Sequence, residues 1–259
     1  MRGDRLKREL VLAGAGGGRA LDTVYLMIAL CALWIALSVI AGEHAFTSPI
    51  GTLRRLALLA SQADFLEHVA ETGRAFALAL VFSIVGGLGL GVLLGAHRLS
   101  GEVAEPLLVA LYSIPKITLY PVILLFFGLG MSAKVAFGAL HGIVPVVLFT
   151  MAAVRNIPAA YVRTARAMRL STRDTVLGVL LPAALPEIVS GFRLGFALTL
   201  LGTMIGEMFA SQRGIGHTLM KAMEANDTPT IMALALLLIL FATAISSMLL
   251  KFDNHLHHR

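Results

Sequence analysis

Six stretches of about twenty mostly apolar residues, enough to cross a hydrocarbon core of about 30 Å as helices, leave this chain few ways to fold. They fall at roughly 22–41, 74–97, 107–129, 133–154, 187–208 and 230–250. Runs this long are not the short alternating strands of a membrane barrel. Of the 259 residues 58% are hydrophobic and 14% charged, against roughly 25% charged in soluble domains. The expected fold is an all-α integral membrane bundle of about six transmembrane helices. The first run exceeds the signal-peptide core of about 7–15 residues, and no A-x-A-like cleavage site follows it cleanly. It holds Cys31, the single cysteine, which is expected as a buried structural thiol.

Loop charges orient the bundle. Arg2, Arg5, Lys7, Arg8 and Arg19 precede the first span, and Arg155, Arg163, Arg166, Arg169 and Arg173 lie between spans four and five. With six spans these two regions share a side with Arg98, Lys251 and Arg259, while the opposite loops mix bases with Glu43, Asp64, Glu67, Glu71, Glu224 and Asp227. The positive-inside rule puts both termini and the 155–186 loop in the cytoplasm. The same rule accounts for the net charge of +6, so no nucleic-acid partner is expected. The organisation is then a cytoplasmic segment 1–21, a first span 22–41, a periplasmic loop 42–73, a five-helix core 74–250 and a cytoplasmic tail 251–259.

Span two reads "ALVFSIVGGLGLGVLLGAH", with Gly87, Gly91 and Gly95 four apart. One helix face is thereby a groove into which another backbone can pack. Gly138/Gly142, Gly191/Gly195 and Gly202/Gly206 repeat the spacing on spans four and five. Dinucleotide binding is excluded because no strand precedes the glycines and no acidic residue follows at the right distance. The phosphate-binding pattern G-x-x-x-x-G-K-[ST] is absent, as are H-E-x-x-H and G-x-S-x-G. No catalytic residue, cofactor site or metal site is expected on this chain. The tail histidines His255, His257 and His258 are too few to argue otherwise.

Charged residues at membrane depth are costly and commonly face a bundle interior or a water-filled path. Lys116 lies in "YSIPKITLYPV", between two prolines that break or kink a helix; it either snorkels to the interface or lines a path. Arg193 is read as snorkelling. Glu207 is a candidate for the path, for an inter-subunit contact, or for a plain interfacial acid. His141, beside Gly142 and Pro145, is read as a packing residue.

The loop 156–182 reads "NIPAAYVRTARAMRLSTRDTVLGVLLP". Asn156 and Pro158 suit a helix start. Tyr161, Ala165 and Met168 fall at i, i+4 and i+7, an apolar stripe beside an arginine-rich one. Ser171 reads as an N-cap with Asp174 in the first turn. A second amphipathic piece through Val176, Val179 and Leu180 ends at Pro182. Two short helices joined near Arg169–Ser171 are expected. A bland membrane-surface helix has a similar pattern.

Here the chain resembles the permease subunits of bacterial ATP-binding-cassette importers. Their cytoplasmic signature is Glu-Ala-Ala, three residues, Gly, nine residues, then Ile-x-Leu-Pro. It falls on Arg163, Thr164 and Ala165, then Arg169, then Val179, Leu181 and Pro182. The spacing and the Val-x-Leu-Pro end match; the initial acid and the glycine do not. The segments 106–135 and 180–219 and the glycine-rich second span look like the branch that imports nitrate, sulfonate, taurine and related anions. The likeness covers roughly residues 70–250.

The resemblance implies that the loop couples to a separate ATPase subunit, which binds the ATP and Mg. It also implies a dimer of permease subunits, homomeric or heteromeric, an external solute-binding protein, and a location in the bacterial inner membrane. A glycine between two helices often supplies a positive φ, which costs a residue with a Cβ about 1–2 kcal/mol. Arg169 therefore bears that strain or the turn has another shape. Arg163 reverses the charge of the motif acid, so an ion pair there needs an acidic partner or is absent. The alternative reading is a secondary transporter driven by an ion gradient, a class that places ionisable residues on broken helices in matching halves.

Overall fold

The computed structural model describes the backbone of residues 2–43 and 45–257 and the side chains of 21–43, 45–209 and 211–251. The basic side chains expected before the first span, and those of the tail beyond Lys251, lie outside the described residues. Eleven α-helices follow one another, with no strand among the described residues.

Helix α1 (Arg2–Ala41) carries the first span at Leu21–Ala41. Among the described residues its main packing partner is α2 (Pro49–Ala60), and Trp34 Nε1 donates to the Thr47 carbonyl just ahead of that helix at 3.0 Å. Cys31, expected buried, is exposed, because little of the Leu21–Ala41 helix is covered by other described residues. The interval expected as a loop, 42–73, is largely helical. Ser48 caps α2, its Oγ accepting from Gly51 N at 3.2 Å, and Pro49 starts the first turn, where a missing N–H costs nothing.

Helix α3 (Ala63–Ala96) has 34 residues, about 50 Å at 1.5 Å per residue, longer than the roughly 30 Å a hydrocarbon core requires. The expected third span is not one straight helix. Helix α4 (Arg98–Ser113), a 3-10 turn (Lys116–Leu119) and α5 (Tyr120–Phe127) form a pair bent by 92°. Pro115 supplies no N–H, and the residue before it is driven from the helical region: Ile114 sits at φ −67°, ψ 134°.

Helix α6 (Met131–Arg155) is the centre of the bundle, between α3 and α9 (Leu181–Ala210). The glycine grooves form as expected. A Cβ on Gly91 would lie 3.0 Å from Val147 O, and one on Gly95 would lie 2.9 Å from Met151 O; Gly87 faces Val146. On the other side of α6, Gly142 meets Thr199 and the Gly195 carbonyl, and Gly202 meets His141. His141 is buried, with Nδ1 2.9 Å from Phe137 O, as a packing residue. A separate apolar core joins α2, α3 and α9 to α10 (Ile215–Glu224) and α11 (Thr228–His257), through Leu59, Phe65, Phe76, Phe196, Met204 and Leu234.

Among the described residues five helices are long and apolar enough to cross a membrane, or six segments if the bent pair counts as one span. One end, here the loop end, carries the 156–180 connection; the other, the strap end, carries 211–227.

Candidate functional site

At the loop end α7 (Ala159–Ala167) closes with two backbone bonds, Leu170 N to Ala165 O at 3.1 Å and Arg169 N to Arg166 O at 3.0 Å. This pair defines a Schellman closure, which places the next residue in the left-handed region. That residue is Arg169, at φ 53°. Of the two outcomes open from the sequence, the turn keeps its shape and the arginine bears the strain. Ser171 then caps α8 (Thr172–Thr175), accepting from Asp174 N at 3.1 Å while its hydroxyl donates to Asp174 Oδ2 at 2.6 Å.

Pro182 does not end this second helix. Residues Val176–Leu180 form a π-turn in which Leu181 N reaches back five residues to Val176 O. The widened register falls where Pro182 can donate nothing, so the helix passes through the proline without losing a bond it would otherwise make. Thr172–Phe209 is one helical run of 38 residues, about 55 Å long. Val179 is half-buried along it, and Leu181 and Pro182 are exposed.

The expected apolar stripe splits. Ala165 is buried, whereas Tyr161 is 47% and Met168 66% exposed. Thr164, Arg163, Arg166, Arg169 and Arg173 are exposed as well. At the same end Arg155 pairs with Glu105 at 2.7 Å, tying α6 to α4. Arg193 lines a cleft of about 760 Å³ between α9 and α11 with Ser190, Thr243, Ser246 and Ser247.

Lys116 and Glu207, the two candidates for a path, are both buried within the chain. Lys116 is buried at the 92° break; its Nζ donates to Tyr112 O at 3.3 Å and lies 5.0 Å from the Tyr112 ring centre. A cation there neutralises the exposed carbonyls at the C-terminus of α4. Glu207 is wholly buried at the strap end of α9. Its Oε2 accepts from Thr72 Oγ1 at 2.8 Å and from Gly216 N at 3.0 Å, and its Oε1 is 3.6 Å from Lys134 Nζ.

Lys134 is the residue that sequence reading passed over. It is 1% exposed and donates to Glu71 Oε1 at 2.9 Å, Ser211 Oγ at 3.1 Å and Arg213 O at 3.2 Å. Together with Thr72 Oγ1, which accepts from Ile215 N at 2.8 Å, and His68 Nδ1, which accepts from Gly214 N at 3.0 Å, it holds segment 211–216 against α3 and α6. A cleft of about 510 Å³ opens beside it, lined by Glu71, Lys134, Phe209, Ser211, Gln212 and Arg213. The available signal was a base and an acid near matching ends of spans four and five, Lys134 and Glu207. Nearby, burial holds His217 below the usual histidine range, helped by the charges of Lys221, His68 and Lys134 against Glu224. Burial alone would raise Asp227, but hydrogen bonds from Thr230 and the Arg55 charge bring it below the ordinary carboxylate range.

A polytopic helical bundle with small-residue packing and an exposed basic elbow joined rigidly to a span defines the class: a multi-pass membrane subunit. Residues 87–259 match the family described as the inner membrane component of binding-protein-dependent transport systems, and the chain belongs to that family. It is therefore an importer permease, and of the two transport readings the ATP-driven one stands. The chain is 27% identical over 237 residues to the formylaminopyrimidine transport permease protein ThiX of Halalkalibacterium halodurans, covering 91% of this chain and 94% of that one. It is 25% identical over 190 residues to the taurine transport system permease protein TauC of Escherichia coli, covering 71% and 69%. Its fold is similar to a chain of the MetNI methionine ABC transporter solved in inward-facing conformations, with TM-score 0.62 and 22% identity over 74% of this chain and 95% of that one.

Proposed function

We propose that this permease carries a small anionic solute (a sulfonate, taurine, nitrate or an organic carboxylate) and that its 156–182 loop is where a separate ATPase subunit drives it. The observation that carries the coupling role is the unbroken helix Thr172–Phe209. A push on α7 and α8 is delivered along one rod to Glu207 and the strap at the far end, because packed cores are bistable rather than continuously deformable. Tyr161 and Met168 supply exposed apolar area for seating in a partner cleft, and the Arg169 turn fixes the angle between the two short helices.

In this reading the loop end and both termini are cytoplasmic, as the arginine distribution favours. ATP and Mg are bound by the ATPase subunits, two permease copies enclose the path, and an external binding protein delivers solute to the strap end. The basic excess supports an anion as cargo, through Arg193 at the loop-end cleft and Lys134 and Arg213 at the strap-end cleft. The relatives named for taurine and for a formylaminopyrimidine show that the fold serves more than one solute.

The test is purification from the native host in mild detergent, with identification of co-purifying chains and an ATPase assay. An ATPase subunit in equal amount, lost on Tyr161→Asp with Met168→Asp, is the expected result. A lone oligomer that moves solute under a proton gradient would overturn the reading.

A further inference from the structure

The outermost face of the coupling loop is basic rather than apolar, and this determines what kind of groove can receive it. Ala165 is the buried position of α7, which packs on the Val176–Leu180 segment, and so marks the side turned toward that segment. At 100° per residue, Arg163 and Ala167 lie roughly 160° round the helix from it, with Arg166 on the adjoining flank. Tyr161 and Met168 lie only about 40–60° from Ala165, on the shoulders of the inward side. The side of α7 opposite that contact is therefore Arg163, flanked by Arg166, among small side chains, Ala160 and Ala167, all exposed. Arg169 and Arg173 extend the same charge past the turn and are also exposed. The one acid in this stretch, Asp174, is hydrogen-bonded to Ser171.

Two partners suit a basic helix: an anionic lipid surface or a protein groove lined by carboxylates. A helix lying on lipid turns its apolar stripe into the acyl boundary and keeps its arginines at the rim. Here the centre of that stripe is occupied by the protein's own Val176–Leu180 segment, and Arg163 lies on the opposite side of α7. Small alanines beside the arginines also allow close approach by a concave partner.

We infer that the ATPase subunit docking on this loop presents an acidic groove to Arg163 and Arg166, so that recognition between the two subunits is set by charge. The inference rests on the coupling role proposed above and names the chemistry of the partner. It also gives a reason for an arginine at the αL position: Arg169 adds a charge to the docking face at the expense of backbone strain. Exposed pairs contribute modestly one by one, a factor of up to about 5 each, so the effect is collective and sensitive to salt.

The experiment uses the full chain in phosphatidylcholine nanodiscs and the ATPase subunit that co-purifies with it, with affinity measured at low and at high NaCl. Arg163→Glu with Arg166→Glu is expected to weaken binding at least about 10-fold and to abolish the salt dependence seen with the native loop. Arg163→Lys with Arg166→Lys should retain both. Equal binding by the native and reversed loops, unaffected by salt, would overturn the acidic groove while leaving the coupling role intact. A reversal that matters only when phosphatidylglycerol is added would assign the basic face to lipid and likewise overturn it. If the native chain binds no ATPase at either salt, the coupling reading fails and this inference with it.

Discussion

Gly91→Ala and Gly89→Ala add the same methyl group to the same helix, two residues apart, and should move stability in opposite directions. At Gly91 the new Cβ would lie 2.9 Å from Thr150 Cγ2 and 3.0 Å from Val147 O, where ordinary carbon contacts are about 3.5–4.0 Å. Thr150 is fully buried and has no room to yield, so α3 and α6 must part by most of an ångström. That also loosens the Gly87–Val146 and Gly95–Met151 approaches. Overpacking of this kind costs about 1–3 kcal/mol, and better helix propensity returns up to about 1 kcal/mol. At Gly89 nothing lies within 4 Å, so only the propensity gain remains. The propensity gain is common to both, so the two variants should differ by the overpacking cost of about 1–3 kcal/mol, or roughly 2–12 °C in apparent Tm for a chain of this size. Thermal unfolding in detergent at one fixed scan rate reads the difference, since such unfolding is commonly irreversible. Equal melting, or a lower Tm for Gly89→Ala, would refute close α3–α6 packing as the basis of the bundle.

Lys134→Met strands Glu207 in the core and should cost about 3–5 kcal/mol, whereas Lys134→Met with Glu207→Gln should recover much of it; apparent Tm and hydrogen exchange of 211–216 report both. Arg169→Gly relieves a left-handed residue and should melt no lower than the native chain, while Arg169→Val should melt lower. Asp227 titrates below its ordinary value in the folded chain, so its contribution is present above the unfolded pKa of about 3.9 and is lost as pH falls through the lower folded value. Asp227→Asn should therefore lower Tm near neutrality and flatten its decline in acid, measured as Tm against pH.

The sequence shows most plainly those features that a single segment decides. Length and polarity identify the spans, and four-residue spacing identifies the glycine faces. At Arg169 the resembled motif's glycine leaves two turn shapes open, and the fold takes the left-handed one at φ 53°. Contacts between distant segments are another matter: Lys134 finds Glu71 across 63 positions, and Thr72 finds Glu207 across 135. No local pattern requires those pairings, so the sequence leaves Glu207 open among a path, an inter-subunit contact and an interfacial acid, and the buried bonds to Thr72 and Gly216 emerge only in the fold. Proline misleads in two directions. Pro115 lies in a passage that reads as a span with a kink, yet it turns the chain by 92° because the residue before it is forced extended. Pro182 reads as a stop, yet the helix continues because the π-turn ahead of it has already moved the hydrogen bonds out of register. That second difference bears on function. A helix ending at Pro182 would leave the loop on a hinge, and a push at α7 would be absorbed there. In the proposed coupling role, continuity to Phe209 would make the loop the short arm of a lever whose far end holds Glu207, so a break engineered between the two should uncouple them without unfolding either. A Gly-Gly pair at Val179 and Leu180 is such a break. It should leave ATPase binding intact and abolish solute uptake, and uptake at the native rate would refute the lever.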